Sequence, residues 1–490
     1  MSWHQTARMW AGRLVPAIAL AAGIGCARTR STPTAADCYL SAPPSGPPEA
    51  GEIIVQLADA VEPIHAPMPG NDAEAILFRN LYETLTEIDC DGELRGRLAD
   101  RWDSDAEKRT WTITLEPRRF WDGSAMRSED VLFSWRTSAL RAATARAPWC
   151  WIDPSRVIAI DSRRIQISLD DPMPDLPRLL AHSALGVAST RPGEAWPVGT
   201  GTFRVAQSRG DLVQCEPNEY ASPVVSADRS ARIAFQPRPG SDPRDLDMAA
   251  PFVRRVWNRK AVSFLATRGM QVQRLPWSRR YVVLLADPLS LSLDRVDIAA
   301  VVAESEAEPC TDLGWSGLPC GPLALPWSAL PVRGGEVPLP PEAVVMALAD
   351  DPDATRIAER IASRASAALG KPIATKPVGP LPFEAALSAG RALVFVIAIP
   401  LELEATCAAP SDLVMRAPWL LAGWDPGRLH AGVAEPGELE RFLIESGAVV
   451  PVLRVGASIV SRPGLAGIRI DGAALPHFQR AGWIRGAALP

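Results

Sequence analysis

The chain has 490 residues, of which 47% are hydrophobic and 22% charged, and its formal net charge is −5. A chain of this length exceeds the size at which one hydrophobic core keeps growing, so we expect at least two domains. The composition is that of an ordinary globular protein. The acidic balance argues against nucleic acid as a partner, because a nucleic-acid binder needs a concentrated basic surface.

The N-terminus predicts export. Arg8 and Arg13 precede an apolar run at 14–25 that has the length of a signal-peptide core and is too short to span a bilayer. Small residues lead into Cys26 as in a bacterial lipoprotein cleavage box, although Gly23 stands where such boxes usually carry leucine. We therefore predict a signal peptide at 1–26, with Cys26 either lipidated or a chance cysteine of a plain secretory signal.

A flexible tether is predicted at 27–51, where Pro, Ser, Thr and Ala dominate. Such a composition cannot bury enough surface to fold, and it suits an extended attachment to a membrane. The expected location is therefore the periplasm or the outer face of the cell membrane, with a lipid anchor if Cys26 is modified.

The cysteines and histidines do not predict a metal site. None of the eight cysteines lies in a Cys-x-x-Cys motif, and the five histidines are far apart, whereas zinc needs clustered ligands. Cys310 and Cys320 flank a loop with Gly and Pro and are either a local disulfide or two buried thiols. We expect no metal and no cofactor.

Strands and helices alternate along the rest of the chain, which indicates α/β layers. Alternating apolar residues or short β-branched runs predict strands at 53–57, 110–115, 164–169, 281–286, 342–349, 393–399 and 449–455, and two more within 202–216 that are joined at Arg209-Gly210. Capping residues and helical spacing predict helices after Asn71 or Asp72 (with Leu77, Leu81 and Leu85 on one face), after Ser128 as N-cap, and at 295–305, 353–369, 438–446 and around Phe478.

Motifs of the common enzyme classes are absent. Gly456-Ala-Ser-Ile-Val460 lacks the second glycine of a nucleophile elbow, and Gly199-Thr-Gly201 lacks the third glycine of a dinucleotide-binding loop. The latter pair is better interpreted as a tight turn. No spacing of carboxylates marks a general acid–base pair. We therefore expect no catalytic residues and predict that the chain is not an enzyme.

From residue 81 the sequence reads LYETLTEIDCDGELRGRLADRW, and from residue 110 it reads TWTITLEPRRFWDGSAMRSEDVLFSWR. This stretch resembles the family 5 extracellular solute-binding proteins of ABC importers, which bind oligopeptides, dipeptides or nickel. The matching positions, in chain order, are Tyr82, Glu83, Leu85, Asp91, Gly92, Leu98, Ala99, Trp102, Asp122, Gly123, Asp130, Val131 and Ser134. The turn at 197–203 and the C-terminal 451–468 with Trp483 extend the resemblance. Asp122-Gly123 is most simply a turn, and Trp102 and Trp135 are most simply core.

The resemblance implies a two-lobed periplasmic-binding-protein-like fold of type II with an inserted third subdomain. Lobe one would join 52–79, 188–275 and 450–490. The inserted subdomain would be 80–187, and lobe two would be 276–449. Closure of the lobes would strip water from a ligand, and a few charge-assisted hydrogen bonds discriminate well in such a dry cleft.

The candidate ligand-binding residues follow from the same resemblance. Peptide-binding relatives place an aspartate after the lobe-two strand to pair the peptide's amino terminus, in a Trp- and Asp-rich loop that this sequence lacks. Glu402 and Glu404 are the nearest acids, and either replaces that aspartate or faces solvent. The loop 65–69 falls where relatives offer backbone to ligand, which selects His65 and Met68. Trp419 and Trp424 either line the cleft or pack in the core.

The leading hypothesis for function is a binder that captures a peptide-like ligand for an ABC importer. Its partners would be a short peptide or small molecule and the permease subunits, and the protein would be a monomer. A second hypothesis is a binder of another solute, such as a nickel chelate, an opine or a sugar. A third is a degenerate lipoprotein that keeps the fold for a structural or sensory role, because the lobe-two loop departs from the pattern.

Overall fold

The structure is a computed structural model of the chain. It describes residues 38–41, 52–142, 147–221, 232–239, 241–242, 244, 252–256, 259–286, 307–310, 312–315, 342–422 and 436–483. The predicted helix at 295–305 lies outside these residues, as do Cys26, Cys320 and Trp424.

The described strands, in chain order, are β1 Glu52–Leu57, β2 Thr86–Ile88, β3 Leu94–Gly96, β4 Ala99–Ser104, β5 Thr110–Leu115, β6 Val157–Asp161, β7 Arg164–Ser168, β8 Ala188–Ser189, β9 Val198–Gly199, β10 Phe203–Arg209, β11 Leu212–Pro217, β12 Arg232–Pro237, β13 Phe252–Val256, β14 Gln271–Leu285, β15 Ala307–Pro309, β16 Glu342–Leu348, β17 Ala374–Val378, β18 Ala392–Pro400, β19 Val449–Ser461, β20 Leu465–Ala466, β21 Arg469–Ile470, β22 Pro476–His477 and β23 Gly482–Trp483.

The described α-helices are α1 Asp72–Leu81, α2 Ser128–Arg141, α3 Leu176–Leu179, α4 Arg259–Thr267, α5 Pro352–Leu369, α6 Pro380–Ser388, α7 Leu401–Ala405, α8 Ala409–Arg416 and α9 Pro436–Glu445. Short 3-10 helices lie at Pro63–His65, Pro154–Arg156, Ser183–Leu185 and Pro418–Leu421.

One mixed sheet of eleven strands runs through the molecule, in the order β10-β11-β12-β1-β13-β19-β14-β18-β16-β17, with β15 also paired to β19. Helices cover both faces of it. Around β14, β16 and β18, α5 packs on one face, and α6, α8 and α9 pack on the other. Around β1 and β13, α1 lies on one face and α4 on the opposite face. The predicted α/β class is confirmed.

Two long strands, β14 and β19, connect the two halves of the sheet. The C-terminal end of β19 pairs with β13 at 458–461, and its earlier part pairs with β15 at 453–455. The β14–β19 register shifts between Arg274 and Trp277 and again between Trp277 and Arg279. These irregularities lie beside the predicted boundary at 275/276 between lobe one and lobe two. The domain boundaries themselves stay a prediction.

A smaller sheet of four strands, in the order β4-β5-β7-β6, stands apart from the large one and belongs to the predicted inserted subdomain. Trp135 of α2 is fully buried, whereas Trp102 is only partly buried against the core. Asp122-Gly123 is a turn, as expected, because Gly123 has a φ of 82° and its N–H donates to the carbonyl of Phe120.

Several local predictions need correction. Ser128 is the first residue of α2 rather than its N-cap, which is Arg127, and the Asp130 carboxylate accepts from the Arg127 N–H at 2.8 Å. Leu85 lies beyond the end of α1. The region around Phe478 is not helical, because β22 precedes a turn there and the phenyl ring is buried.

The glycines at 199 and 201 serve close packing rather than a tight turn. A Cβ at Gly201 would lie 2.4 Å from the carbonyl carbon of Leu81, and one at Gly199 would lie 2.1 Å from the Leu81 oxygen. The Gly201 N–H donates to that oxygen at 3.0 Å. Only glycine allows this backbone to approach the end of α1 so closely.

Part of the predicted tether is bound to the folded protein. Cys38 forms a disulfide with Cys90, and the Leu40 N–H donates to the Ile468 carbonyl at 2.9 Å. Residues 38–41 are therefore not a free tether. Cys310 is buried, but its predicted partner Cys320 lies outside the described residues, so the choice between a local disulfide and two buried thiols stays a prediction.

Candidate functional site

Five of the seven predicted site residues lie in the described part of the chain. Glu402 and Glu404 are on α7, directly after β18. His65 and Met68 follow β1 in the loop before α1. Trp419 lies in the 3-10 helix after α8. Trp424 and Cys26 lie outside the described residues.

Glu404 forms a buried ion pair with an arginine of the same chain, Arg280. Its side chain is buried, and Oε1 accepts a hydrogen bond from Nε of Arg280 at 3.2 Å. Burial by itself would lower the pKa of Arg280, but Glu404, together with Cys310 and Asp312, more than offsets burial and raises that pKa. A buried cation needs such a counter-charge. Glu404 therefore neither faces solvent nor is open to a ligand's amino group.

Glu402 lies between the predicted lobe two and the predicted inserted subdomain. Its Oε1 accepts from the backbone N–H of Ser183 at 2.8 Å, and its Oε2 accepts from the Ser183 hydroxyl at 3.0 Å. Nε2 of His182 is 4.0 Å from Oε2. The Glu402 side chain is 19% exposed, so it is largely buried but still accessible to solvent.

His65 belongs to a loop folded around one buried carboxylate. Oε1 of Glu74 contacts His65 Nδ1 at 2.7 Å and accepts from the Glu62 N–H at 2.9 Å, and Oε2 accepts from the Gly70 N–H at 2.7 Å. Glu74 is on α1, so this loop is held rigidly against the helix. The His65 side chain remains 46% exposed, and Met68 is partly buried against the core. His65 is thus presented by a fixed backbone.

Trp419 has the surroundings of a core residue. Its indole Nε1 donates to the Leu387 carbonyl at 2.7 Å, and its ring lies 6.2 Å from that of Phe395. Tryptophan commonly satisfies its N–H in this way when it packs in a core. The core alternative is therefore the one that these contacts favour.

A second carboxylate of the predicted lobe two, Asp412, was missed in the sequence. Oδ1 of Asp412 accepts from the Ala147 N–H at 3.2 Å, and Oδ2 accepts from Arg416 at 3.3 Å. Arg416 also makes two hydrogen bonds to Glu384, at 2.8 and 3.0 Å. The i, i+4 spacing of Asp412 and Arg416 on a helix indicates their ion pair in the sequence. Nothing in the sequence indicates the contact of Asp412 with Ala147.

In the described part of the chain, no group of three or more His, Cys, Asp or Glu side chains is arranged to hold a metal ion. Across the same residues, no helix combines the length and apolar character needed to cross a membrane.

Comparison with known proteins agrees with this fold. Residues 93–249 match the family described as "Bacterial extracellular solute-binding proteins, family 5 Middle". The periplasmic murein peptide-binding protein MppA of Escherichia coli K12 is 26% identical over 158 residues, covering 26% of this chain and 29% of MppA. The matched region of this chain is therefore similar to family 5 of the bacterial extracellular solute-binding proteins. A second relative, the periplasmic oligopeptide-binding protein OppA of Escherichia coli K12, is 26% identical over 145 residues, covering 25% of this chain and 26% of OppA. The matches to these curated relatives span about a quarter of the relatives' own length.

Solved structures extend the likeness in fold along most of the chain. The unliganded open form of MppA covers 90% of this chain and 99% of its own, with 18% identity and a TM-score of 0.60. Haemophilus influenzae OppA, in complex with the peptide RPPGFSPFR, covers 90% and 100%, with 16% identity and a TM-score of 0.64. NikA of Brucella suis, in complex with Fe(III)-EDTA, covers 88% and 100%, with 13% identity and a TM-score of 0.64. The predicted two-lobed, type II fold is confirmed.

Proposed function

We propose that this chain is the extracytoplasmic solute-binding component of an ABC importer and captures a short, peptide-like ligand between its two lobes. The observation that carries the proposal is the shared fold, which covers 88–90% of this chain and 99–100% of the solved solute-binding proteins. The match to the family's middle region at 93–249 supports it. Closure around a ligand gives a loaded shape that permease subunits can distinguish from the empty one.

The proposal has further parts. The protein is exported to the periplasm or to the outer face of the membrane, held there by lipid at Cys26, and acts as a monomer. It performs no catalysis and uses no cofactor. Absence of the first 25 residues and a mass increase on Cys26, both read by mass spectrometry of the protein from membranes, is the expected result for the anchor. An unmodified Cys26 would contradict it.

Peptide is the favoured ligand class, with a chelate or another solute as the alternative. The named ligands in the similar structures include the peptide RPPGFSPFR with OppA and Fe(III)-EDTA with NikA. Native mass spectrometry of the purified protein separates these classes, because a co-purifying peptide is identified by its mass and by its fragmentation into amino-acid residues. If other solutes raised the melting temperature and peptides never did, the peptide assignment would be wrong.

Glu402 is the better candidate of the two acids for pairing a peptide's amino terminus, because Glu404 already neutralises Arg280. Glu402→Gln should then weaken binding of a free peptide more than about tenfold, or roughly 1.4 kcal/mol. The matched control is the same peptide with an acetylated amino terminus, which cannot form the ion pair, so the substitution should weaken its binding less than that of the free peptide. Equal affinity for the free peptide would remove this role from Glu402. Glu404→Gln is unsuitable, since it removes one of the two carboxylates, with Asp312, that neutralise the buried Arg280.

One observation favours the second candidate, a degenerate binding protein with a structural or sensory role. Both oxygens of Glu402 and the Oε1 of Glu404 accept hydrogen bonds from the chain itself. Neither acid stands open for a ligand in this conformation. The two candidates differ in whether the wild-type protein binds a ligand. For the degenerate binding protein, we expect no co-purifying solute and no solute that raises the melting temperature.

A further inference from the structure

Two carboxylates of the predicted lobe two accept hydrogen bonds from backbone N–H groups of the predicted inserted subdomain. Glu402 accepts from Ser183, 219 residues away, at 2.8 Å. Asp412 accepts from Ala147, 265 residues away, at 3.2 Å. The donors belong to the predicted inserted subdomain. These are contacts between bodies that must separate if the cleft is to open.

The Glu402 contact is built on both sides. Ser183 is the first residue of the 3-10 helix Ser183–Leu185, where an N–H has no partner within the helix. The preceding His182 directs this turn, because its Nδ1 accepts from the Ala184 N–H at 3.2 Å. A carboxylate at such an N-terminus makes a charge-assisted hydrogen bond, and the Ser183 hydroxyl adds another at 3.0 Å.

The Asp412 carboxylate is fixed by Arg416 on the same helix. Arg416 is almost fully buried and binds both Asp412 and Glu384, so the Asp412 carboxylate has little freedom. Ala147 begins a buried segment with Trp149, Cys150 and Trp151. Burial raises the pKa of the Cys150 thiol, and the carboxylate of Asp412 raises it further, which agrees with this segment lying against α8.

We propose that Glu402 and Asp412 form a latch that stabilises the closed arrangement of the two lobes. Each charge-assisted hydrogen bond to a backbone N–H shifts the ratio of closed to open protein roughly tenfold or more, and the two carboxylates act together. The proposal rests on the two-lobed fold and not on the identity of the ligand.

The test uses ligand-free full-length protein, checked by native mass spectrometry, and compares the wild type with the double variant Glu402→Ala/Asp412→Ala. Small-angle X-ray scattering reports the radius of gyration, and hydrogen exchange reports the amides of Ser183 and Ala147. We expect a larger radius of gyration for the variant and exchange at least about tenfold faster at both amides. Asp412→Ala leaves Arg416 with its two hydrogen bonds to Glu384.

A second variant attacks the latch from the opposite side. Ser183→Pro removes both the N–H and the hydroxyl, and proline is tolerated at the first position of a helix. His182 already has φ −64° and ψ 133°, which suit a residue before proline. This variant should expand the protein as the lobe-two variant does, whereas Glu359→Gln, an exposed charge change on α5, should not. The proposal fails if ligand-free wild type is as expanded as both variants, or if both variants stay as compact as the wild type with unchanged circular dichroism.

Discussion

Removal of the Cys38–Cys90 disulfide should lower the stability of the folded protein by a large and calculable amount. The bond joins the docked segment 38–41 to the turn after β2, across 52 residues of chain. Leu40 is fastened next to it, since its N–H donates to Ile468 and its carbonyl accepts from the Gln273 side chain at 3.2 Å. The cross-link therefore restricts the unfolded chain while the native contacts are satisfied.

The magnitude follows from the entropy of loop closure. For a closed loop of 52 residues, the chain-entropy relation gives a stabilisation of about 4 kcal/mol at 25 °C. The double variant Cys38→Ser/Cys90→Ser removes the constraint without leaving a lone thiol. Its free energy of unfolding should fall by about that amount.

The assay is equilibrium unfolding in urea under oxidising conditions, followed by tryptophan fluorescence. The control is Leu40→Ala, which weakens the packing of the docked segment and keeps the disulfide, so its loss should be clearly smaller. If the double variant lost less than about 1 kcal/mol, the constraint on the unfolded chain would not be the source of stability. A loss equal to that of Leu40→Ala would point to docking contacts instead.

Three further perturbations test other parts of the structure. Burial opposes the charged form of Glu87, but Arg97 and Arg469 outweigh it and lower the pKa of this carboxyl from 4.5 to about 2. The ionised Glu87 therefore stabilises the fold by about 3 kcal/mol above its unfolded pKa, and this contribution is lost as the pH falls toward 2. In Glu87→Gln the free energy of unfolding should depend less steeply on pH between about 4.5 and 2. Urea unfolding at a series of pH values measures this dependence. Gly201→Ala should destabilise by about 2 kcal/mol because its Cβ meets the Leu81 backbone, whereas Gly379→Ala, with open space around it, should change the urea midpoint little. Glu440→Gln should speed hydrogen exchange of the amides at 313–315, all three of which donate to its carboxylate; unchanged exchange would show that the carboxylate does not hold this loop.

The sequence predicted those elements whose signals are local. The alternating TWTITL at 110–115 forms β5 with the same bounds, and Asn71, one of the two predicted N-cap residues, caps α1. Gly370 ends α5 with a φ of 64°, the left-handed conformation that favours glycine. The two strands joined at Arg209-Gly210 are β10 and β11. Periodicity and capping suffice in these places because each depends on residues within a few positions of one another.

The family resemblance gave the scaffold, and it left the candidate site undecided. The residues that carry the resemblance include the Asp122-Gly123 turn and the buried Val131 of α2, which shape the fold. Glu402 and Glu404 were found as the nearest acids, but nothing in their local sequence distinguishes a ligand contact from a partner within the chain. Their occupants, Ser183 and Arg280, lie 219 and 124 residues away.

The same reason explains the remaining differences. Composition predicted a free tether at 27–51, because residues rich in Pro and Ser bury little surface, but a single disulfide and a few backbone hydrogen bonds dock 38–41. The glycine at 201 resembled a turn residue until the backbone of Leu81 was found against it. Local periodicity specifies helices and strands, whereas the partner of a buried charge, a cysteine or a glycine depends on which distant segments the tertiary fold brings into contact.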